Sequence, residues 1–170
     1  MRDCTYIAAD FDHDEDAVDI LKTMKKKGYI IFKDAHELQQ SRDSSLACSI
    51  KKSLRKRMDC SKKFILIVGE HTNSISKGGC QICPSYNSHN CSCARGYSVD
   101  YRSFIKFECD IAKESANYID IVVLYKDTKI DKELCPESIK NLGVHSAMIH
   151  RGVDGKLYWD YEKISKAIGT

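Results

Sequence analysis

Two stretches constrain this chain more than any other: Phe64-Ile65-Leu66-Ile67-Val68 and the segment Ile119 to Tyr125, apolar without a break from Ile121 on. Side chains of a strand point alternately to its two faces, so an uninterrupted apolar run needs cover on both. Sheets buried in this way are mostly parallel, with helices packed above and below. The remaining pattern agrees. Tyr6 to Ala9 reads as a first strand and Tyr29 to Phe32 as a second. Asp16 to Lys27 reads as a helix with Val18, Leu21 and Met24 inside, closed by Gly28. Asp43 or Ser44 can cap a further helix to about Met58, with Leu46, Ile50 and Leu54 on one face. Pro136 to Leu142 suggests a short helix, Ser146 to His150 a fifth strand, and Asp160 to Ile168 a last helix capped by Asp160. The expectation is a doubly wound, flavodoxin-like α/β sheet of about five parallel strands. It forms a single domain over residues 1–170, with an insertion at about 72–99.

Composition excludes several classes. The net charge of +3 is weak and its charges are interspersed, so a nucleic-acid partner is not expected. The one dense basic run, Lys51 to Arg57, reads as the solvated face of a helix. No apolar run is long enough to span a bilayer. The first residues lack the pattern of a signal peptide. With nine cysteines and no export signal, the expected setting is the reducing cytoplasm.

In an open parallel sheet, ligands bind beyond the carboxyl ends of the strands. Three segments should gather there: Asp10 to Asp16 after the first strand, Gly69 to Ser74 after the third, and the start of the segment Tyr101 to Ala112. In that last segment Phe104, Phe107, Ile111 and Ala112 recur at helical spacing and make one apolar face. Glu108 falls on the same face. A carboxylate there is costly to bury unless something satisfies it. A helix-edge glutamate reaching for water is the plainer account of it.

Four motifs stand in order along the chain: Ala9-Asp10-Phe11-Asp12-His13-Asp14, Phe32-Lys33-Asp34-Ala35, Ile67-Val68-Gly69-Glu70-His71-Thr72, and an aromatic-x-x-x-Glu motif at Phe104 to Glu108. On these the chain resembles TIR-like domains, close to the TIR-like subunits of bacterial Thoeris anti-phage systems. The resemblance implies cleavage of the N-glycosidic bond of NAD and release of nicotinamide. The ADP-ribose part would become a cyclic or conjugated nucleotide that activates a partner effector. The resemblance places the catalytic glutamate at Glu108 and the nucleotide contacts at Asp10, Phe11, Asp12, His71 and Phe104, with homo-oligomerisation an open option. Two departures stand out: the family's aromatic is usually Trp where this chain has Phe104, and five acidic residues crowd Asp10 to Asp16.

The insertion carries Cys80-Gln81-Ile82-Cys83 and Cys91-Ser92-Cys93. Four thiolates can hold a structural zinc, and a long irregular loop needs something to order it. Free thiols or a redox pair are the plainer alternative.

Other functions fit the same strand order. Asp10-Phe11-Asp12 has the D-x-D form of a magnesium-dependent phosphohydrolase of the haloacid dehalogenase type, but His13 follows where Thr or Val is wanted. A phosphoacceptor receiver domain wants Asp where this chain has Gly69. A TIR-like domain that binds or scaffolds without catalysis is the stronger alternative.

Overall fold

The computed structural model describes residues 4–34 and 46–169. In chain order they form β1 (Cys4–Ala8), α1 (Glu15–Lys26), α2 (Ala47–Asp59), β2 (Ser61–Val68), β3 (Tyr86–Asn87), β4 (Ser92–Cys93), α3 (Phe104–Glu114), β5 (Asp120–Tyr125), β6 (Val144–Ala147), β7 (Ile149–Arg151), β8 (Leu157–Trp159) and α4 (Tyr161–Ile168). The main sheet has four parallel strands in the order β1-β2-β5-β6. β3 with β4 and β7 with β8 are small antiparallel pairs.

Both faces of the sheet are covered, as the unbroken apolar runs require. Along β2, Phe64, Leu66 and Val68 point into one core with Leu54 and Met58 of α2 and Ile105 and Ile111 of α3. Ile65 and Ile67 point the other way, to Val18, Leu21 and Met24 of α1 and Ile164 and Ile168 of α4. Each fully buried side chain of this size contributes about 1.5–3 kcal/mol, so the central strands lock the register.

The expected second strand, Tyr29 to Phe32, does not form. Among the described residues, one parallel bridge outside the named strands lies beside β1, Thr5 to Asp34, supported by Thr5 N donating to Lys33 O at 2.7 Å. The reason lies at the end of α1. Gly28 takes φ +75°, its N–H bonds Lys25 O, and the Tyr29 N–H bonds Met24 O. This is a Schellman closure, which uses the first residues of the apolar run to finish the helix. Ile30 is buried, while Ile31 is 86% exposed.

Two smaller expectations also change. Residues 136–142 form turns after a 3-10 turn at Lys132–Leu134, not a helix. The expected fifth strand divides at Met148, whose N–H bonds back to Tyr125 O. Its first half is β6 in the sheet and its second half is β7 in a hairpin. The suggested caps Asp43 and Ser44, and Ala35 of the quoted motif, lie outside the described residues. Asp160 caps α4 as expected, accepting from Lys163 N at 3.0 Å.

Candidate functional site

A cavity of about 670 Å³ opens beyond the carboxyl end of β1. Its wall includes Asp10, Phe11 and Asp12 from the loop after β1, and Phe104 and Glu108 from α3. The structure therefore brings together five of the six residues expected to act on or bind a nucleotide. The sixth, His71, is not in that wall. It packs on His13, with ring centroids 4.6 Å apart.

Glu108 is 6% exposed, so it does not reach for water as a helix-edge glutamate would. Tyr6 of β1 satisfies it, donating its hydroxyl to Glu108 Oε1 at 2.5 Å. The phenol is itself fully buried, and burial pushes its pKa well up, helped by the neighbouring carboxylate charge. An O–H donor to an ionised acceptor is stronger than a neutral pair. The bond therefore orients the carboxylate while supplying part of what burial removes.

α3 starts at a defined point. Ser103 caps it by accepting Lys106 N at 3.2 Å, and Phe104 N donates to Lys77 O at 2.9 Å. Gly78 follows with φ +103°, where a Cβ would come within 2.6 Å of the Phe104 ring. The insertion thus packs its first turn directly on the aromatic residue of the cavity.

Four of the five crowded carboxylates of the β1 loop meet a partner. Asp10 Oδ2 lies 2.5 Å from His13 Nδ1. Asp12 meets Lys77 at 3.0 Å, and that hydrogen bond holds the Asp12 carboxyl below its ordinary value. Lys126 reaches Asp16 at 2.7 Å and Asp14 at 3.4 Å. Burial pushes the Asp14 carboxyl up, against the pull of Lys126. The loop is therefore much less negative toward an anionic ligand than its sequence suggests.

Residues 6–77 match the family model described as Thoeris protein ThsB, TIR-like domain. Over those residues the chain is similar to the TIR-like domain of ThsB. Over its whole length it also resembles a metazoan TIR-STING receptor from C. gigas, solved in complex with 2',3'-cGAMP, at TM-score 0.53 and 14% identity. That match covers 98% of this chain but 39% of the receptor chain. At such identity it bears on the fold alone. No curated protein matches the chain. The family match ends at Lys77, so Glu108 lies beyond it.

Sequence reasoning missed three residues of this candidate site. Tyr6 reads as one more apolar residue of a strand. Lys77 lies in an irregular loop, yet it lines the cavity and pairs with Asp12. Arg57 belongs to the basic run read as a solvated helix face, yet it lines the cavity. At the other end of that run Lys51 is buried, donating to Arg102 O at 2.6 Å and meeting Asp100 at 3.4 Å. Lys52, Arg55 and Lys56 are the members of the run that face water. Helical spacing within the run was the available signal, because Lys51, Leu54 and Met58 share the buried face of α2.

The insertion is tied to this frame through Cys80. Its N–H bonds Asp100 O at 2.9 Å, and its Sγ accepts Asp100 N at 3.2 Å. Cys83 N bonds Cys80 O, and Cys93 sits opposite Tyr86 in the β3–β4 pair. All four loop cysteines are free thiols. Among the described residues, no three or more His, Cys, Asp or Glu side chains are grouped to hold a metal ion. No helix among them is long and apolar enough to cross a membrane.

Proposed function

We propose that this protein cleaves NAD at the nicotinamide–ribose bond, as a TIR-like enzyme of bacterial anti-phage immunity. Its product would be a cyclic or conjugated ADP-ribose nucleotide that activates a partner effector. The observation that carries this reading is the buried carboxylate of Glu108 in a cavity wall shared with two aromatic rings, Phe11 and Phe104. The ThsB-type match over residues 6–77 supports the biological setting.

The chemistry follows from the charge that develops. Breaking the glycosidic bond leaves an oxocarbenium-like ribose. A preorganised carboxylate in a water-poor site stabilises that charge. Nicotinamide departs neutral with the bonding electron pair, so a strong acid is not needed. Glu108, oriented by Tyr6, supplies the negative charge. The aromatic rings give flat faces for a base or the nicotinamide, and Arg57 brings positive charge to the same wall.

The test is incubation of the purified protein with NAD, followed by chromatography and mass spectrometry, beside Glu108→Gln and Glu108→Ala. Nicotinamide release is expected from the wild type and should fall by at least about a hundredfold in either variant. Wild-type turnover in the variants would remove Glu108 from the mechanism. Silence of the wild type, at high concentration and in lysate of infected cells, would favour a nucleotide-binding or scaffolding TIR-like module. The phosphohydrolase reading is less well supported, because Asp12 is engaged with Lys77.

A further inference from the structure

We propose that Asp10 is a second catalytic carboxylate of this cavity, taking the proton of the hydroxyl or water that replaces nicotinamide on the ribose. The proposal rests on the NAD-cleaving reading and divides its two half-reactions between two acids.

Asp10 and Glu108 line the same cavity from different elements, and both are buried, at 7% and 6% exposure. Their settings differ. Glu108 is held by a phenol in the core. Asp10 is held at both oxygens, by Asp12 N on Oδ1 at 3.2 Å and by His13 Nδ1 on Oδ2 at 2.5 Å. His13 is 56% exposed, so Asp10 stands between the cavity and the solvent side. The His13 ring is flanked by His71, the Asp12 carboxylate lies close in sequence, and Lys126 Nζ bonds the His13 carbonyl.

Two other roles in this loop fall to neighbouring carboxylates. Asp14, not Asp10, occupies the N-cap position of α1. Asp12 carries the exposed ion pair with Lys77. What remains at Asp10 is a buried, oriented carboxylate facing a cavity and backed by an imidazole, an arrangement that fixes the histidine tautomer as well as the acid.

The reaction has a task for it. Departure of nicotinamide needs negative charge beside the ribose but no proton. The replacement step forms a bond between the acceptor oxygen and the ribose carbon, and it breaks the acceptor O–H bond. That proton goes to Asp10 and then to bulk water as product leaves. Two carboxylates around one sugar share such tasks in glycosidases. His13 acts as a positioning residue, holding Asp10 through Nδ1.

A nucleophile without a proton separates the two roles. A pyridine attacks with its nitrogen lone pair, so exchange of nicotinamide for acetylpyridine on NAD requires Glu108 but no base. The experiment measures, on one enzyme preparation, NAD conversion to hydrolysed or cyclised product and exchange with acetylpyridine. Asp10→Asn is expected to lower the first by at least about a hundredfold while exchange stays within about threefold of wild type. Glu108→Gln should lose both. If thermal melting shows that Asp10→Asn does not fold, His13→Phe decides, with about a tenfold loss of hydrolysis or cyclisation and exchange retained. Equal loss of both reactions in the folded variant would make Asp10 a binding or structural residue and overturn the proposal. So would loss of neither. A wild-type protein that performs neither reaction overturns the NAD reading itself, and this assignment with it.

Discussion

Tyr6 and Glu108 lie 102 residues apart in sequence and meet at 2.5 Å in the core. The pair joins the first strand of the sheet to the helix that follows the insertion. It sets the orientation of the one carboxylate on the apolar face of α3. The fold therefore does not merely tolerate a buried glutamate; it provides a donor for it.

Removing that hydroxyl tests the relationship. Tyr6→Phe keeps the ring between Phe64 and the core and leaves a buried carboxylate short of one donor. Such a loss costs about 1–3 kcal/mol of stability. If Glu108 is catalytic, kcat for NAD should fall by about ten- to a hundredfold with KM little changed. Denaturant melts and steady-state kinetics on the same preparation check both expectations. Unchanged kcat would show that Tyr6 only accommodates Glu108.

Gly78 gives a second test, at the seam between insertion and cavity. Its φ of +103° strains any residue with a Cβ, and that Cβ would press on the Phe104 ring at 2.6 Å and on the Phe104 backbone nitrogen at 2.8 Å. Gly78→Ala should cost about 1–3 kcal/mol. Because Phe104 would have to move, nucleotide affinity should weaken more than the loss of folded protein explains. Calorimetric titration at a temperature where the variant is fully folded separates the two effects.

The sheet was legible because burial on both faces leaves no alternative for runs such as Phe64 to Val68. Glu108 was legible for the opposite reason, as a charge at a position where helical spacing demands an apolar side chain. The failures have physical causes too. Tyr29 to Phe32 has strand composition, but a helix closing on Gly28 takes the Tyr29 N–H. Tyr6 was hidden because pairing between distant elements leaves no local trace. Lys51 and Arg57 were hidden inside a run of like residues, where helical phase, not charge, decides which side chains turn inward.

The cysteine insertion carries the proposal of a structural zinc on Cys80, Cys83, Cys91 and Cys93. These thiols form no metal-holding group in the described geometry, so binding would require the β3–β4 end of the loop to close on Cys80 and Cys83. Cys91 is the exposed member of the four and sits in the left-handed region at φ 50°. Protein purified without chelator should then carry about one zinc per chain, and chelation should lower its melting temperature because structural zinc contributes folding free energy. A zinc content of a small fraction per chain would reject the site and leave the loop held by its protein contacts, among them Asp100, Phe104 and the Lys77–Asp12 pair.

Asp100 supplies the pH-dependent part of that hold. Burial raises its carboxyl, but hydrogen bonds from Arg102 and the charge of Lys51 win, bringing it down to about 2. A carboxyl depressed in the folded state favours folding above its unfolded value near 3.8, and this contribution is lost as pH falls from about 4 to about 2. A shift of this size corresponds to roughly 2 kcal/mol. Asp100→Asn should therefore be less stable than wild type by about that amount at neutral pH, with the difference shrinking as acid is added. Lys51, buried against Asp100 and the Phe107 ring, would be left without its carboxylate, which adds to the neutral-pH loss. Urea melts of both proteins at pH values on either side of the window read the difference directly. A gap that stayed constant across it would show that Asp100 acts by shape and hydrogen bonding, not by charge.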